Sequence, residues 1–421
     1  MRTARSRPSP RVASAAAQGP LSGVRVLDLS RVLAGPYATM ALGELGARVI
    51  KVEHVREGDE TRSWGPPFIE GESAYYLGVN RNKESVALDL THPLAQDVVH
   101  RLGIGWADVV VENFRPGNLE RFNLSLDEMR ERNPALITAS VRGYPLGDDR
   151  AGYDFVIQGA GGLMSITGPT DGPPSKVGVA AADLFTSSFL LSGILAALYA
   201  RCQTGQGQHL TVSLFECEVA MLANVASSHL LTGEPARRHG NAHPSMAPYE
   251  VFSTQDGPIT LGVGNDRQFR SLAEVLGHPE WLRDPRFATN PARVTHRAEL
   301  KQSIDAALSR RDSEEWLGVL TAAGIPCGPI RTVAEVFRSP EVARAGTVVE
   351  MDHPLIGPLK QVRLPWRFTG TPAGPRTPPP LHGQHTWRIL REAGLSEEEI
   401  AAAFGAGTAN GPLAARPPQE D

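Results

Sequence analysis

Residues 24–53 read VRVLDLSRVLAGPYATMALGELGARVIKVE and show three structural elements in succession. The apolar and β-branched run Val24 to Leu29 predicts a strand, YATMALGELGA predicts a helix, and Arg48 to Glu53 predicts a second strand. A strand, a helix and a strand within about thirty residues form a βαβ unit, whose two strands pair in parallel. We therefore expect a parallel sheet.

Strand and helix patterns continue to alternate after this unit. Further strands are predicted at residues 86–90, 108–112 and 136–141, with a helix over 93–102. This alternation is typical of a doubly wound α/β fold, whose ligands bind at the carboxyl ends of the strands. The predicted fold class is α/β with a Rossmann-like sheet.

A second, smaller α+β domain is predicted downstream. The loop TGEPARRHGNAHPSMAP, residues 232–248, is rich in glycine and proline and indicates a domain boundary or an active-site flap. A hairpin is predicted over 249–264, followed by helices to residue 324. The predicted boundaries are a disordered extension at 1–20, the large domain at 21–225, the linker and small domain at 226–335, and a return to the large domain with a C-terminal wrap at 336–421.

The stretch KVGVAAADLFTSS, residues 176–188, places one carboxylate, Asp183, at the start of a long apolar run. The run Leu184 to Cys202 predicts a central helix buried on all sides. Asp is a favoured N-cap residue, so a capping role explains Asp183 without any chemistry. The N–H groups and dipole of a helix start would also hold a catalytic carboxylate ionised and oriented, so both interpretations remain open.

Charge and cysteine content exclude several classes of protein. The net charge is −4 and no Lys/Arg block follows the first residues, which argues against coating nucleic acid. The sequence contains no run of eighteen apolar residues, so no membrane span is predicted. Cys202, Cys217 and Cys327 form no CxxC pair, which is typical of a reducing compartment and predicts a cytoplasmic protein. The arginine-rich residues 1–20 make a mitochondrial presequence, and hence the matrix, the alternative.

Common cofactor and nucleophile motifs do not occur in the sequence. No GxGxxG follows the first strand, and neither GxxxxGK[ST] nor GxSxG is present. His239 and His243 are four residues apart, but GNA lies between them and a proline follows, so we expect no metal site. Polar and cationic residues do cluster beside strands, at residues 80–83, 112–117 and 142–144. This placement predicts a phosphate-bearing ligand, although each cation alone could be a solvated loop residue.

Several of these stretches together resemble the family III coenzyme A transferases, which include formyl-CoA and carnitine-CoA transferases. The matching segments are VLDLSRVLAGPYATMALGELGARVIKVE, GDETRSWGPPF, NRNKESVALDL, ADVVVENFRPG, YDFVIQGAGGLMSITG, KVGVAAADL and TGQGQHLTVSLFE. The pattern is most similar to the branch that uses succinyl-CoA and dicarboxylates. The resemblance implies a Rossmann-like large domain built from both chain ends, a smaller domain between them, and an interlocked, ring-like homodimer.

The resemblance also implies a mechanism and its residues. Asp183 would attack an acyl-CoA and become an aspartyl-CoA thioester, with acyl-CoA and a carboxylic acid as substrates and no tightly bound cofactor. His54 stands where some members have an arginine. The implied CoA contacts are Val32, Leu33, Ala34, His54, Lys83, Asn113, Phe114, Arg121 and Arg142. The candidates for binding the distal substrate carboxylate are Arg62, Arg238 and His243.

Two alternative functions are open at this point. A 2-methylacyl-CoA racemase has the same fold but pairs its aspartate with a histidine, and here Tyr153 of Gly152-Tyr153-Asp154 replaces that histidine. Racemization needs a second acid/base group, so this replacement favours the transferase. A non-catalytic CoA-binding module is the other alternative. The shielding glycine loop of formyl-CoA transferases is not matched by residues 240–244, which argues against an oxalate or formyl-CoA substrate.

Overall fold

The computed structural model of the chain describes residues 19–412. The predicted extension at 1–20 therefore lies, apart from its last two residues, outside the described part. The strands in chain order are β1 (Arg25–Asp28), β2 (Arg48–His54), β3 (Phe68–Ile69), β4 (Glu72–Ser73), β5 (Lys83–Leu88), β6 (Val109–Glu112), β7 (Ile137–Arg142), β8 (His209–Ser213), β9 (Tyr249–Ser253), β10 (Pro258–Gly262), β11 (Cys327–Pro329), β12 (Val348–His353), β13 (Gly357–Val362) and β14 (Ala409–Asn410).

Helices connect and cover these strands. Those of the first half are α1 (Ala34–Glu44), α2 (Ala74–Val79), α3 (Pro93–Arg101), α4 (Asn118–Arg121), α5 (Leu126–Arg132), α6 (Asp154–Ala160), α7 (Leu163–Ile166) and α8 (Ala181–Thr204). The later ones are α9 (Leu214–Met221), α10 (Ala223–Thr232), α11 (Asp266–Val275), α12 (Asn290–Thr295), α13 (Arg297–Leu308), α14 (Ser313–Ala322), α15 (Val333–Arg338), α16 (Pro340–Ala345), α17 (Thr386–Glu392) and α18 (Glu397–Gly405). Single turns of 3₁₀ helix lie at Glu60–Ser63 and Pro279–Leu282, and a π-helical turn lies at Leu102–Trp106.

The chain forms two compact units. The first takes residues up to Ile157, Ala180–Met221 and residues from Gly346 on; the second takes Gln158–Val179 and Leu222–Ala345. The predicted large domain at 21–225 included residues 158–179, which belong to the second unit. Their short helical segments carry no composition shift that would mark a boundary in the sequence.

A seven-stranded sheet is the centre of the first unit, with the order β14-β5-β2-β1-β6-β7-β8. Strand β14 is antiparallel to β5, and the other neighbouring pairs are parallel, as predicted. The strand order reverses between β1 and β6. From β1 the chain first adds β2 and β5 on one side, and from β6 it adds β7 and β8 on the opposite side. A crevice outside the carboxyl ends of β1 and β6 is the usual ligand site of such a sheet.

Alternating side chains of the strands form two apolar layers, one on each face of the sheet. Leu27 and Ile50 belong to the cluster that includes residues of α3, α17 and α18, whereas Val26 and Val49 pack with α1 and α8. This is the period of two that a strand imposes on its side chains. The second unit has its own core around Phe252, with β9, β10 and β11 forming an antiparallel sheet.

Strand β5 begins at Lys83, although the sequence predicts a strand over 86–90. The predicted strand is present but its bounds are wrong, because the first residues of β5 are polar and their partners are distant in sequence. The Lys83 ammonium pairs with Asp28, and the Ser85 hydroxyl donates to Glu53. The predicted hairpin over 249–264 is confirmed by β9 and β10.

Helix α8 is less buried than predicted. Its buried residues lie on one face, and Phe189 and Tyr199 are 41% and 71% exposed. Among the described residues, α8 is the one helix long and apolar enough to span a membrane by length and composition, with a mean hydropathy of 1.6. Core helices of soluble proteins pass the same test. The all-round apolar sequence therefore did not reveal that this helix has an exposed face.

Candidate active site

A cavity of about 160 Å³ lies at the carboxyl ends of β1, β6 and β7, where the strand order predicts a ligand. Loops after these three strands and the first turn of α8 supply its walls. Seven predicted site residues line it together: Val32, Leu33, Ala34, Asn113, Phe114, Arg142 and Asp183. Other residues of the lining were not among the predicted site residues, and they include Arg31, Glu60, Arg115, Tyr153 and the loop 148–152.

The loop after β1 is held in a strained conformation. Val32 has φ of +71°, a left-handed value that is a true outlier for a β-branched residue. The Arg31 amide donates to the Asn113 side chain at 2.8 Å, and the Asn113 amide group donates back to the Arg31 carbonyl at 2.7 Å. Such strain persists only where the surroundings enforce it, and it is concentrated at functional sites.

Ser187 joins the β1 loop to the helix that carries Asp183. Its hydroxyl lies 2.8 Å from the carbonyl of Ala34 and 2.8 Å from that of Asp183. Ser187 is buried, one helical turn after Asp183. The backbone of Asp183 is therefore linked through Ser187 to the start of α1. Val32, Leu33 and Ala34 line the same cavity as Asp183.

Asp154, rather than Asp183, caps helix α8. The N-cap position is Ala180, which offers no side-chain acceptor. Instead, Oδ1 of Asp154 accepts hydrogen bonds from the amides of Ala182, at 2.9 Å, and Asp183, at 3.4 Å. The predicted N-cap role of Asp183 is thus wrong, because an aspartate 29 positions earlier in the chain supplies the cap.

The carboxyl group of Asp183 is half-buried and titrates near physiological pH. Burial, followed by the negative charge of Asp154, raises the pKa of Asp183 to about 7. The helix start therefore does not favour the ionised form of Asp183, contrary to the expectation from the sequence. A carboxylate with this basicity is a better nucleophile than an ordinary surface aspartate.

Two glycines hold the loop that leads to Tyr153 and Asp154. A Cβ atom on Gly143 would lie 2.5 Å from the backbone nitrogen of Gly152, and one on Gly152 would lie 2.5 Å from Cα of Gly143. These neighbours are backbone atoms, which cannot move out of the way of an added Cβ as a flexible side chain can. Contact between these two glycines therefore closes the loop 144–151 and fixes the start of α6.

We predict that Gly143→Ala lowers CoA-dependent activity at least about tenfold and destabilises the fold by about 1–3 kcal/mol, as overpacking does. The added methyl group must push Gly152, and with it Tyr153 and Asp154, away from the cavity. Steady-state kinetics and urea denaturation measure both effects. Gly78→Ala is the matched control, because a Cβ there meets no atom within 4 Å. Equal activity of both variants would contradict this role of the glycine contact.

Most cations of the cavity are paired with acids. Arg142 forms an ion pair with Glu112 at 2.7 Å and also donates to the carbonyl of Phe114. Arg31 pairs with Glu60 at 2.8 Å, and its guanidinium lies 5.0 Å from the Phe114 ring centroid. Arg142 therefore orders the β6 loop, while its 21% exposed side chain still borders the cavity.

A second, apolar cavity of about 220 Å³ adjoins the first and shares Arg31 and Phe114 with it. His54, another predicted site residue, lines this cavity. Its apolar walls are formed by Leu29, Val52, Leu88, Leu90 and Phe122, and charged residues also line it: Lys51, Glu53, Asp59 and Asp89. A flat aromatic group would fit such walls.

Lys83 is not brought to either of these two cavities. Its ammonium is fully buried, forms an ion pair with Asp28 at 3.0 Å, and donates to the Pro36 carbonyl and the Asn80 side chain. Burial lowers the pKa of Lys83 to about 8 despite the carboxylate. Its hydrogen bonds are thus used inside the protein, and the structure gives it a structural role.

Two predicted arginines also lie outside these cavities. Arg121 ends α4 on the surface. Arg62 forms ion pairs with Glu53 at 2.7 Å and Glu72 at 3.3 Å, and its side chain is 10% exposed. Burial alone would raise the pKa of Glu53, but the Arg62 guanidinium lowers it to about 2. An arginine engaged in this way has little capacity left for a substrate carboxylate.

Arg238 and His243 belong to the second unit. Arg238 donates to the carbonyls of Pro169 and Gly172, at 3.2 and 2.9 Å, and so fastens the loop after α7. Nδ1 of His243 accepts from the Ser245 amide at 3.0 Å. Within residues 19–412, no group of three or more His, Cys, Asp or Glu residues could hold a metal ion.

Known proteins resemble this chain over most of its length. The profile of CoA-transferase family III matches residues 21–386. A succinyl-CoA:glutarate CoA-transferase of Mus musculus is 43% identical over 377 residues, covering 89% of this chain and 86% of that protein. A succinate–glutarate CoA-transferase of Agrobacterium fabrum is 43% identical over 383 residues, covering 89% and 95%. The crystal structure of a CAIB/BAIF family protein from Brucella suis superposes with a TM-score of 0.79 at 40% identity, covering 89% of this chain and all of that one.

Proposed function

Since the chain belongs to CoA-transferase family III, we propose that it moves CoA from succinyl-CoA to a dicarboxylic acid such as glutarate, with Asp183 as the nucleophile. The observation that carries the proposal is the half-buried, basic carboxylate of Asp183 in a cavity at the switch point of the sheet. The donor and acceptor are suggested by the names of two relatives that are each 43% identical.

The first half of the reaction transfers CoA to the enzyme. An oxygen of Asp183 attacks the thioester carbonyl of succinyl-CoA, the C–S bond breaks, and the electron pair leaves with the sulfur of CoA. The products are a mixed anhydride and a CoA thiolate. The thiolate then attacks the aspartyl carbonyl of the anhydride, which releases succinate and leaves an aspartyl-CoA thioester.

The second half repeats these steps in reverse with the acceptor. A carboxylate oxygen of the acceptor attacks the aspartyl thioester, and CoA leaves again as the thiolate. The thiolate attacks the acceptor carbonyl of the new anhydride, which gives the new acyl-CoA and restores the Asp183 carboxylate. No net hydrolysis occurs provided that water is excluded from the cavity.

We place the two ends of CoA in the two adjoining cavities. The adenine ring would lie against the apolar walls around His54 and Phe114, and the pantetheine arm would pass Arg31 toward Asp183. Arg31 and Phe114 border both cavities, which supports one continuous ligand. The phosphates of CoA would bind cations at the edge of the first cavity, which the exposed Arg115 lines.

We further propose a homodimer. Each unit carries large apolar side chains on its surface, such as Tyr199 at 71% exposure in the first and Leu231 at 85% in the second. Contiguous exposed apolar surface marks interaction sites in soluble proteins. Light scattering coupled to gel filtration tests this, and a monomer at micromolar concentration would contradict it.

Arg238 and His243 remain our candidates for the distal carboxylate of the acceptor. His243 packs 5.3 Å from the Tyr249 ring, so its position is fixed within the second unit. If His243 binds the acceptor, we expect His243→Ala to raise KM for glutarate and to leave KM for succinyl-CoA unchanged. Equal effects on both constants would rule that role out.

The transferase assay incubates the protein with succinyl-CoA and a panel of acids, including glutarate, oxalate and a monocarboxylate, and measures new acyl-CoA by chromatography. We expect glutaryl-CoA to form fastest, with succinate released in equal amount. Deuterium exchange at the α-carbon of a 2-methylacyl-CoA is measured in parallel. Exchange without CoA transfer would contradict the proposal and favour a racemase.

A further inference from the structure

Asp154 places a second carboxyl group at the start of the helix that carries Asp183. Because the N-cap residue Ala180 has no acceptor side chain, the carboxylate of Asp154 takes over the first free amides of α8. It accepts from Ala182 at 2.9 Å and from Asp183 itself at 3.4 Å. The backbone groups that would otherwise stabilise an anion at this helix end are therefore already engaged.

This arrangement makes a negative charge on Asp183 costly. The first amides of α8 already donate to Asp154, burial in the cavity removes part of the hydration of Asp183, and the negative charge of Asp154 repels a second negative charge. The pKa of Tyr75 is raised to about 12 by burial and by the negative charges of Asp183, Asp154 and Asp59. The other charged groups around the cavity are Arg31, Glu60, Arg115, Arg142, Asp148, Asp149 and Arg150.

The cations in this set contribute little net positive charge. Arg31, Arg142 and Arg150 each form an ion pair, with Glu60, Glu112 and Asp148. Asp154 is the charged neighbour that raises the pKa of Asp183 beyond the effect of burial. After burial, the charge of Asp154 on the adjacent helix α6 is therefore the main influence on the carboxyl group of Asp183.

We propose that Asp154 is a positioning residue that holds the first turn of α8 and whose negative charge destabilises the Asp183 carboxylate until the acyl group arrives. This proposal rests on the proposed function. When the Asp183 oxygen bonds to the acyl carbon, the aspartyl group becomes neutral and its negative charge departs with the CoA thiolate. The repulsion between the two carboxylates then ends, so it favours formation of the anhydride and of the aspartyl thioester. Asp154 neither bonds to substrate nor moves a proton.

The glycine contact explains how Asp154 keeps this place. Gly152 is pressed against Gly143, and Asp154 follows it by two residues at the start of α6. The carboxyl group is thereby held by the loop on one side and by the amides of α8 on the other.

The pH dependence of kcat/KM for succinyl-CoA tests the proposal in the wild type, Asp154→Asn and Asp154→Ser. Asn and Ser keep an oxygen that can cap the helix but carry no charge. We expect the acidic limb of the wild type near pH 7 and that of both variants at lower pH. The ratio of activity at pH 5.5 to activity at pH 8 should rise several-fold, by about sevenfold for a shift of one pKa unit from pH 7. At pH 8 the variants should be slower, because their nucleophile is less basic.

Asp154→Glu is the matched control that retains the charge, and its acidic limb should stay near that of the wild type. An acidic limb unmoved in both Asp154→Asn and Asp154→Ser would overturn the proposal and leave Asp154 a structural cap. The proposed function fails in a different way, through absence of CoA transfer in the wild type or its persistence in Asp183→Asn. Denaturation curves of each variant confirm that folded protein is compared.

Discussion

Replacing Asp183 by Asn abolishes CoA transfer, with an expected loss of at least about a thousandfold in kcat for succinyl-CoA and glutarate, as for other covalent nucleophiles. The amide is almost isosteric but cannot form the anhydride or the aspartyl thioester. Its capping partner Asp154 remains in place, so the first turn of α8 persists. Chromatographic detection of glutaryl-CoA over several hours measures residual turnover.

The same variant should be more stable than the wild type at alkaline pH. The folded-state pKa of Asp183, about 7, lies above its usual 3.8, so the folded state binds the proton more tightly than the unfolded chain. The stability linked to that proton is fully present below about pH 4 and is lost as the pH rises through about 7. Asp183→Asn should therefore gain about 1–4 kcal/mol over the wild type at pH 8, and little at pH 4. Urea denaturation at both pH values checks this, and a destabilised variant at pH 8 would contradict it.

Replacing Lys83 by Met lowers the free energy of unfolding by about 3–5 kcal/mol, the cost of breaking a buried ion pair. Asp28 and Lys83 have side chains that are 0% exposed, so removing the ammonium leaves a buried carboxylate with one fewer partner. The hydrogen bonds to the Pro36 carbonyl and the Asn80 side chain are lost as well. Denaturation by urea measures the loss, and KM for succinyl-CoA in the surviving folded protein should be unchanged.

The double variant Asp28→Asn, Lys83→Met is the control for this effect. It removes both charges, so part of the lost stability should return. Ser30 can still donate to the amide oxygen introduced at position 28, and the Thr39 hydroxyl, which faces the other carboxylate oxygen of Asp28, can accept from the new NH2 group while it donates to the Pro36 carbonyl. A Lys83→Met protein of normal stability with a raised KM for CoA would contradict the structural role. It would restore the hypothesis that Lys83 contacts CoA.

The parallel sheet could be predicted from residues 24–53, because local apolar periodicity and the βαβ spacing determine it. Asp183 could be selected because it stands at the start of a long apolar run, and the structure has it in the first turn of α8, where it lines the first cavity. Its hydrogen-bonding partner could not, since Asp154 lies on another element and nothing in the local pattern links the two. The segment Gly152-Tyr153-Asp154 was noted for its tyrosine, and the aspartate beside it is the residue that matters to α8.

Cations near strand ends were the least predictable part of the site. Arg31, Phe114 and Arg142 meet at the switch point, because loops after parallel strands converge there. Lys83 at the start of β5 instead pairs with Asp28 at the end of β1, and Arg62 in the 3₁₀ turn after β2 pairs with Glu53 of β2. Whether a cation faces a cavity or a buried carboxylate depends on register across strands, which a single sequence does not display.

In the proposed reaction, Asp183 becomes covalently attached to CoA. The most direct measurement incubates the wild type with succinyl-CoA, adds hydroxylamine, and sequences the digested protein by mass spectrometry. We predict an aspartyl hydroxamate at Asp183 that forms only in the presence of succinyl-CoA and does not appear in the Asp183→Asn protein. Active enzyme without any hydroxamate, or with the hydroxamate at Asp154 or another residue, would contradict the account.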